Sequence, residues 1–307
     1  MDLEIKLSPM EELLVQPVKY YTELTGKNIR KSICNILGLY LGVEKKDVDN
    51  IDKIINVVHN ASLVIDDIQD NSLLRRNKEC AHIKYGIPLT INAGYLTTFK
   101  ILNELNKNKE LEESSKHKIV ENIYYTHIGQ GMDIYYTQNK IVPTMEDYDK
   151  MMEYKTGMLF ITIIDLLMEK TKNIIVKKNY ENLCKCVSNF SLFFQIRDDY
   201  INLADASYWK ERGFCQDFDE EKISYLITYC TNNKLNNYEL INTLLKKQNK
   251  TREEKIKILF LMKNNGLFDI IYNKLVDLKN EVLQVLNIDI IFQQLPFYKF
   301  EENGLVL

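Results

Sequence analysis

Residues 158–212 read MLFITIIDLLMEKTKNIIVKKNYENLCKCVSNFSLFFQIRDDYINLADASYWKER, a run without glycine or proline. After Gly213 the next glycine is Gly266, and the whole chain contains only five prolines. Strands joined by tight turns need far more of these two residue types, because glycine and proline form so many turns. The run therefore predicts long helices rather than strands.

Apolar spacing elsewhere in the chain supports the same prediction. In residues 267–286, apolar side chains recur every three or four positions, as on one face of an amphipathic helix. Residues 51–64 and 180–201 are apolar over a wider arc and predict helices with little solvent exposure. Hydrophilic connections are predicted at 42–50, 106–118, 204–219, 231–237 and 246–255. We expect one all-α domain over residues 1–307.

Composition and charge narrow the class of protein. The 307 residues are 45% hydrophobic and 27% charged, which is typical of a soluble globular protein. A net charge of −3 argues against a nucleic-acid partner. The six cysteines are expected to be reduced thiols in the cytoplasm, because a chain of this size needs no disulfides. The start of the chain is too polar for a secretory signal, and residues 158–168 are too few to cross a membrane.

The first candidate site is DDIQD, which begins at Asp66 and ends at Asp70. Residues four apart share one face of a helix, so these two carboxylates point the same way. The preceding residues 59–65 are mostly apolar, and carboxylates at the end of a buried helix are costly unless a cation compensates them. Mg²⁺ prefers such oxygen ligands. The alternative is an acidic helix end paired with Arg75 and Arg76.

A second acidic site has the same form. Residues 193–202 read FFQIRDDYIN, which again places paired aspartates, Asp198 and Asp199, after an apolar run. Asn202 offers a further oxygen four positions after the first of them. Two such helices facing one another would hold several Mg²⁺ ions on one diphosphate, so the pair of motifs is far more specific than either alone.

Basic residues surround both motifs in the sequence. Any one of them is more often a surface charge than a ligand, but their arrangement around two acidic motifs favours phosphate binding. Lys27 and Arg30 lie at the predicted start of a helix, whose amide groups also favour anions. The other candidates are Arg75, Arg76, Lys155, Arg212 and Lys222.

Seven segments carry a resemblance to a known family. In chain order they are GKNIR, HNASLVIDDIQDNSLLRR, AHIKYGIP, GQGMDIYY, EYKTGMLF, FFQIRDDYIN and GFCQD. From about Leu13 to Tyr229 the chain resembles the trans-isoprenyl diphosphate synthases, in particular the geranylgeranyl diphosphate synthases of animals and fungi. The resemblance implies a bundle of long, mostly antiparallel helices around a central active-site cavity, the isoprenoid synthase fold. It also implies a homodimer or an assembly of dimers.

The same resemblance implies a role for each candidate residue. Isopentenyl diphosphate would be held by Lys27, Arg30, His59 and Arg76. Mg²⁺, three ions per site with bound diphosphate, would be held by Asp66, Asp70 and Asp198, supported by Asp67, Asp199 and Asn202. The allylic diphosphate (dimethylallyl, geranyl or farnesyl) would be held by Arg75, Lys155, Thr156, Gln195, Arg212 and Lys222. Within these sets, catalysis would rest on Asp66, Asp67, Asp70, Asp198, Lys155 and Lys222.

Product length depends in this family on how far the growing tail runs between helices. Ala61 and Ser62 are small and lie about 6–7.5 Å before Asp66 along a helix, where bulky residues close the pocket of farnesyl-producing relatives. Thr97 and Thr98 stand where relatives usually carry an aromatic pair, while His127 remains. We therefore expect transfer of farnesyl diphosphate to a C20 product, with some longer species.

Two other functions stay open. A terpene synthase of the same ancestry would ionise a prenyl diphosphate without isopentenyl diphosphate, and a non-catalytic subunit would modulate a partner synthase. The presence of Lys27, Arg30 and Arg76 disfavours the first, and the intact acidic motifs disfavour the second. Departures from the family pattern at Arg212 and around Lys222 change the local geometry of the implied diphosphate site.

Overall fold

The computed structural model describes residues 7–24, 28–173 and 177–300, and for Glu211 and Arg212 it describes the backbone alone. Over these residues the secondary structure is helical except for one short antiparallel hairpin. The prediction of an all-α fold is confirmed. Within the same residues, no helix is both long and apolar enough to cross a membrane.

The N-terminal half contains nine α-helices among its described residues. They are α1 Pro9–Leu14, α2 Gln16–Glu23, α3 Ile29–Tyr40, α4 Lys45–Gln69, α5 Ala81–Tyr85, α6 Ile87–Lys107, α7 Glu113–Asn139, α8 Met145–Met152 and α9 Met158–Lys170. The hairpin pairs β1 Leu74–Arg75 with β2 Lys78–Glu79, and a π-helix over Glu153–Gly157 joins α8 to α9.

The C-terminal half continues with helices of mixed length. They are α10 Tyr180–Ala204, α11 Ala206–Arg212, α12 Gln216–Asp219, α13 Tyr225–Asn232, α14 Tyr238–Leu245, α15 Arg252–Asn264, α16 Leu267–Val285 and α17 Asp289–Gln293. The hydrophilic segment 204–219, predicted to be a connection, therefore contains two short helices. The side chain of Asp205 accepts a hydrogen bond from the main-chain N–H of Ser207, which caps the first of these helices.

The chain forms two compact units. The first unit comprises Met1–Tyr124 and Leu159–Glu181, and the second comprises Tyr125–Met158 and Asn182–Leu307. Helices α7, α9 and α10 contribute residues to both. That the two units make one domain stays a prediction.

In the first unit, α4 is the central helix. It packs against α2, α3 and α6. As the apolar pattern predicts, its side chains at Ile51, Ile54, Ile55 and Val64 are buried. A core cluster formed with α2, α5 and α6 contains Val18, Tyr21, Ala61, Val64, Ala81 and Ala93.

The contact between α4 and α6 depends on a glycine. A Cβ atom at Gly94 would lie 2.8 Å from Cγ1 of Ile65 and 3.0 Å from the carbonyl oxygen of Ala61. Both distances are too short for ordinary contact, so only glycine lets the two helices approach this closely.

In the second unit, α16 can be compared directly with the helix predicted from the apolar spacing. The helix is predicted over 267–286 and observed at Leu267–Val285, with Ile271, Leu275, Leu278 and Val282 buried. Ile270 is exposed, although the pattern places it on the buried face. Leu286 follows the helix in an extended conformation and is nevertheless buried. The helix packs against α13 and α15.

The hairpin is not predicted by the sequence pattern. Its two turn residues, Arg76 and Asn77, have φ angles of 52° and 62°. Two consecutive positive φ angles are typical of the tight turns that match strand twist, and glycine or asparagine usually occupies them. An arginine in this position weakens the sequence signal for the turn.

The close contact at Gly94 leads to a stability prediction. We expect Gly94→Ala to lower the free energy of unfolding by about 1–3 kcal/mol, because the added methyl group overpacks the helix contact. Gly131 in α7 is the matched control, since a Cβ there meets nothing within 4 Å. Gly131→Ala should raise stability by about 0.5–1 kcal/mol, because alanine is the better helix former. Urea unfolding followed by circular dichroism measures both, and equal changes in the two variants would contradict the packing argument.

Candidate functional site

The first acidic motif lies at the C-terminal end of α4. Asp66 is in the last turn and half-buried, and Asp70 caps the helix and is exposed. The main-chain N–H of Asp70 donates to the carbonyl oxygen of Asp66 at 2.8 Å, which is the helical spacing of four residues. The structure thus brings these two predicted ligands to one helix end, as the spacing indicates.

Asp67, the next residue of the same helix, is turned by about 100° from Asp66 and is fully buried. Its carboxylate accepts hydrogen bonds from the hydroxyl of Tyr21 and from Nη2 of Arg75, and Nε of Arg75 lies 3.0 and 3.1 Å from its two oxygens. The Tyr21 hydroxyl in turn accepts from the main-chain N–H of Ala81 at 3.1 Å. Asp67 therefore joins α2, the hairpin and the start of α5. Its supporting role at a metal stays a prediction.

The charge of Asp67 changes the acidity of both its partners. Burial, together with the hydrogen bond to Asp67, raises the pKa of Tyr21, which keeps the phenol protonated. Burial would lower the pKa of Arg75, but its bonds to Asp67 and the nearby Asp66 hold that pKa above its ordinary value. Nη2 of Arg75 also lies 3.3 Å from Oδ2 of Asp66. The pairing of the acidic helix end with Arg75, foreseen as the alternative to metal binding, is thus present.

Three other basic residues gather in the first unit. Arg76 donates through Nη1 to the carbonyl oxygens of Leu24, at 2.6 Å, and Tyr21, at 3.2 Å. Burial and the charge of Arg76 lower the pKa of Arg30 to about 10. Burial, then Arg30, Arg76 and Arg75, lower the pKa of His59 well below its ordinary value. The structure brings these predicted ligands together, whereas Lys27 lies outside the described residues.

The second acidic motif, in α10, repeats the arrangement. Asp199 is fully buried and accepts hydrogen bonds from four groups. These are the hydroxyl of Tyr148 at 2.6 Å, Nζ of Lys222 at 2.8 Å, Nε2 of Gln195 at 3.1 Å and the main-chain N–H of Tyr225 at 2.8 Å. Burial and the charge of Asp199 raise the pKa of Tyr148. Burial would lower the pKa of Lys222, but Asp199 and Asp217 hold it above its ordinary value.

The neighbouring Asp198 is more open. Its side chain is 37% exposed, and its Oδ1 accepts from Nη1 of Arg197 at 2.8 Å. Asn202, by contrast, is buried, and its Oδ1 accepts from the main-chain N–H of Asp217 at 3.2 Å. The predicted third oxygen of the motif therefore supports the start of α12. Its role as a metal ligand stays a prediction.

Asp217 has no role assigned from the sequence, although the segment GFCQD contains it. Its Oδ2 is buried without a hydrogen-bond partner and lies 3.7 Å from Nζ of Lys222. Burial raises its pKa to about 7. Lys222 therefore lies between two carboxylates, of which only Asp199 is hydrogen-bonded to it. The side chain of Arg212, also predicted to bind the allylic diphosphate, lies outside the described residues.

Lys155 and Thr156 lie in the π-helix. Nζ of Lys155 donates to Oδ2 of Asp133 at 2.5 Å. The backbone of the π-helix touches α7 at Gly129, where a Cβ atom would lie 2.3 Å from the main-chain nitrogen of Lys155. Sequence reasoning missed Gly129 and Asp133. The feature that could have identified them is their position in the segment GQGMDIYY, where they stand one helical turn apart.

The residues predicted to set product length differ in burial. Ala61 and Thr97 are buried, Thr98 is half-buried, and Ser62 and His127 are exposed. Oγ1 of Thr98 donates to the carbonyl oxygen of Gly94 at 3.0 Å, whereas the buried hydroxyl of Thr97 has no partner. Ala61, Ser62, Thr97 and Thr98 belong to α4 and α6 of the first unit. Their effect on product length stays a prediction.

The contrast between Asp66 and Asp67 yields a stability prediction. We expect Asp67→Asn to lower the free energy of unfolding by about 3 kcal/mol, because Arg75 loses its ionic partner in a largely buried position. Asp66→Asn is the matched control one residue away. It should cost less than about 1 kcal/mol, since Asp66 is half-buried and 3.3 Å from Arg75. Denaturant titrations compare the two, and an equal loss in both would contradict the assigned roles.

Known proteins are similar to this chain over most of its length. A sequence model described as polyprenyl synthetase matches residues 11–262. A geranylgeranyl pyrophosphate synthase of Dictyostelium discoideum is 34% identical over 274 residues, which are 89% of this chain and 88% of that protein. A geranylgeranyl pyrophosphate synthase of Aspergillus flavus is 33% identical over 281 residues, 91% of this chain and 79% of that protein.

A third relative has a different product. An ophiobolin F synthase of Aspergillus clavatus is 36% identical over 222 residues, but these cover 72% of this chain and only 30% of that protein. Together the matches confirm the resemblance inferred from the motifs and the expectation of an enzyme that transfers prenyl groups. The chain belongs to the polyprenyl synthetase family.

Proposed function

We propose that the protein condenses isopentenyl diphosphate with farnesyl diphosphate to give geranylgeranyl diphosphate and some longer products. One observation carries the proposal. Each unit presents an open aspartate beside a buried one, and the buried one holds a cation, Arg75 in the first unit and Lys222 in the second. The names of the Dictyostelium and Aspergillus flavus relatives agree with the C20 product.

Mg²⁺ is the proposed cofactor, and the donor set fits it. Among residues 7–24, 28–173 and 177–300, no three His, Cys, Asp or Glu side chains form a group that holds a metal by itself. Mg²⁺ typically takes one or two carboxylates and completes its shell with water and phosphate oxygens. Asp66 and Asp70 at one helix end, and Asp198 in the second unit, supply such partial sets. The ions are therefore proposed to bind together with the diphosphate.

The protein's own groups have separable tasks in the proposed reaction. When bound, Mg²⁺ stabilises the charge that develops on the allylic diphosphate as its C–O bond breaks. Arg75, Lys155 and Lys222 are the residues proposed to bind the allylic diphosphate, and the basic group of Arg30, His59 and Arg76 is proposed to bind isopentenyl diphosphate. The double bond of isopentenyl diphosphate attacks the allylic cation, and the departing diphosphate accepts the proton lost afterwards. Exclusion of water keeps the cation from forming an alcohol.

Assembly with a second copy is also proposed. Ile87, Ile91, Tyr95 and Phe99 are exposed on α6. They are spaced four residues apart and so form one apolar stripe on the helix. An apolar stripe on a monomer surface favours burial against a partner, and we propose a second copy of this chain in that place.

A cytoplasmic location is proposed from the reduced state expected for the cysteines.

The activity test uses purified protein with Mg²⁺, isopentenyl diphosphate and farnesyl diphosphate, with products sized by mass spectrometry. We expect a C20 diphosphate that forms only with both substrates. Asp66→Asn and Asp198→Asn should each lower kcat/KM by about 100-fold or more, because each removes a proposed ligand of the Mg²⁺ that stabilises the leaving diphosphate. Asp289→Asn, an exposed aspartate in α17, is the matched control and should keep wild-type activity.

Incubation with farnesyl diphosphate alone distinguishes the other functions. Hydrocarbon or alcohol formed without isopentenyl diphosphate would indicate a terpene synthase. No turnover of any allylic substrate by wild-type protein would indicate a non-catalytic subunit. Either result would overturn the proposal.

Product length is tested at the two threonines of α6. With geranyl diphosphate as the allylic substrate, we expect Thr97→Phe or Thr98→Phe to shift the product from C20 toward C15, because an aromatic ring shortens the space for the tail. Thr97→Val is the matched control, since it keeps the shape and removes a buried hydroxyl that has no partner. It should keep the product length and raise stability by about 1 kcal/mol. An unchanged C20 product in both aromatic variants would contradict the role assigned to these positions.

A further inference from the structure

The segment of residues 296–300 lies along the helix that carries the second acidic motif. The carbonyl oxygen of Pro296 accepts hydrogen bonds from Nε and Nη2 of Arg197, at 3.0 and 2.8 Å. The carbonyl oxygen of Tyr298 accepts from the hydroxyl of Tyr200 at 2.9 Å. Both donors belong to α10 and both acceptors are main-chain atoms, so these bonds fix the backbone of the segment.

Aromatic packing holds the same segment in place. The ring of Phe297 lies 5.6 Å from that of Phe193 and 5.4 Å from that of Tyr272, measured between centroids. The ring of Phe300 stacks on Phe268 at 4.0 Å. Such ring pairs add to the free energy of burial. The segment is therefore attached to α10 and α16 by packing as well as by hydrogen bonds.

Arg197 connects this segment to the acidic motif. Besides the two bonds to Pro296, it donates through Nη1 to Oδ1 of Asp198 at 2.8 Å. Its side chain is only 5% exposed, whereas that of Asp198 is 37% exposed. A guanidinium group is planar and presents its donors in a rigid fork. The direction of the Pro296 carbonyl therefore sets the plane of Arg197, and that plane sets the orientation of the Asp198 carboxylate.

We propose that Arg197 is a positioning residue for Asp198 and that residues 296–300 anchor it. The inference rests on the proposed function, in which Asp198 is an open ligand for Mg²⁺ and diphosphate. The anchor lies outside residues 11–262, the part of the chain that the family match covers. The orientation of a ligand in the shared motif thus depends on a segment beyond that match.

A conservative substitution shows whether Arg197 acts by orienting Asp198 or only by its positive charge. Lysine keeps the positive charge of Arg197, but a single ammonium group cannot reproduce the rigid fork between Pro296 and Asp198. If only the charge matters, Arg197→Lys behaves as wild type. If the fork matters, the variant binds Mg²⁺ with diphosphate more weakly.

The probe is inorganic pyrophosphate, titrated by calorimetry at a series of Mg²⁺ concentrations into the whole chain. For Arg197→Lys we expect the Mg²⁺ concentration at half-saturation to rise about tenfold, as for other residues that orient a metal ligand. Tyr200→Phe is the matched control, because it removes a bond to the same segment without touching Asp198. It should lower the melting temperature and leave the Mg²⁺ dependence unchanged. A chain ending at Leu295 keeps Arg197 but lacks its anchor, and should resemble Arg197→Lys.

Each outcome decides the inference. A wild-type Mg²⁺ dependence in Arg197→Lys overturns it, and so does an equal shift in Arg197→Lys and Tyr200→Phe, which would reflect general loosening of the segment. If Arg197→Lys does not fold, the chain ending at Leu295 is tested in its place. A wild-type Mg²⁺ dependence in that chain then overturns the inference. If wild-type protein binds no pyrophosphate with Mg²⁺ and forms no product, the proposed function itself is overturned, and this inference with it.

Discussion

Two carboxylates without access to water, Asp67 and Asp199, organise the groups around the candidate site. A buried charge is costly unless hydrogen bonds and an opposite charge compensate it. Asp67 obtains both from Tyr21 and Arg75, and Asp199 obtains them from several donors that include Lys222. Because each buried aspartate needs an opposite charge, Asp67 holds Arg75 in a fixed position and Asp199 does the same for Lys222. Groups proposed to bind a diphosphate are thereby oriented before any substrate arrives.

Helix geometry explains why each motif needs two consecutive aspartates. Successive residues of an α-helix are turned by about 100°, so the two aspartates of a pair point in different directions. In each pair one aspartate is buried, and the other, Asp66 or Asp198, is accessible. The motifs differ four residues after that accessible aspartate. Asp70 is exposed there, whereas Asn202 is buried and supports α12, so the first motif offers two open carboxylates and the second offers one.

The sequence predicts the features that depend on local spacing. The absence of glycine and proline in 158–212 and the apolar period of 267–286 predict the helices, and the spacing of Asp66 and Asp70 predicts a shared helix face. Contacts between distant residues follow from packing, which local spacing does not reveal. Asp67 and Tyr21 are 46 positions apart, and nothing in either segment marks them as partners. The sequence suggests a metal-supporting role for Asp67, or a pairing of the acidic helix end with the nearby Arg75, but not the bond from Asp67 to the distant Tyr21.

Lys155 shows how a backbone contact can orient a side chain. The π-helix over Glu153–Gly157 changes the helical register locally, and such turns occur often at functional sites. Its backbone approaches α7 so closely that Gly129 has no room for a Cβ atom. On the same helix, four residues later, Asp133 receives Nζ of Lys155. One face of α7 therefore fixes both ends of this residue, the main-chain nitrogen by contact and the ammonium group by charge. The direction of the ammonium group thus depends on a glycine that carries no functional group of its own.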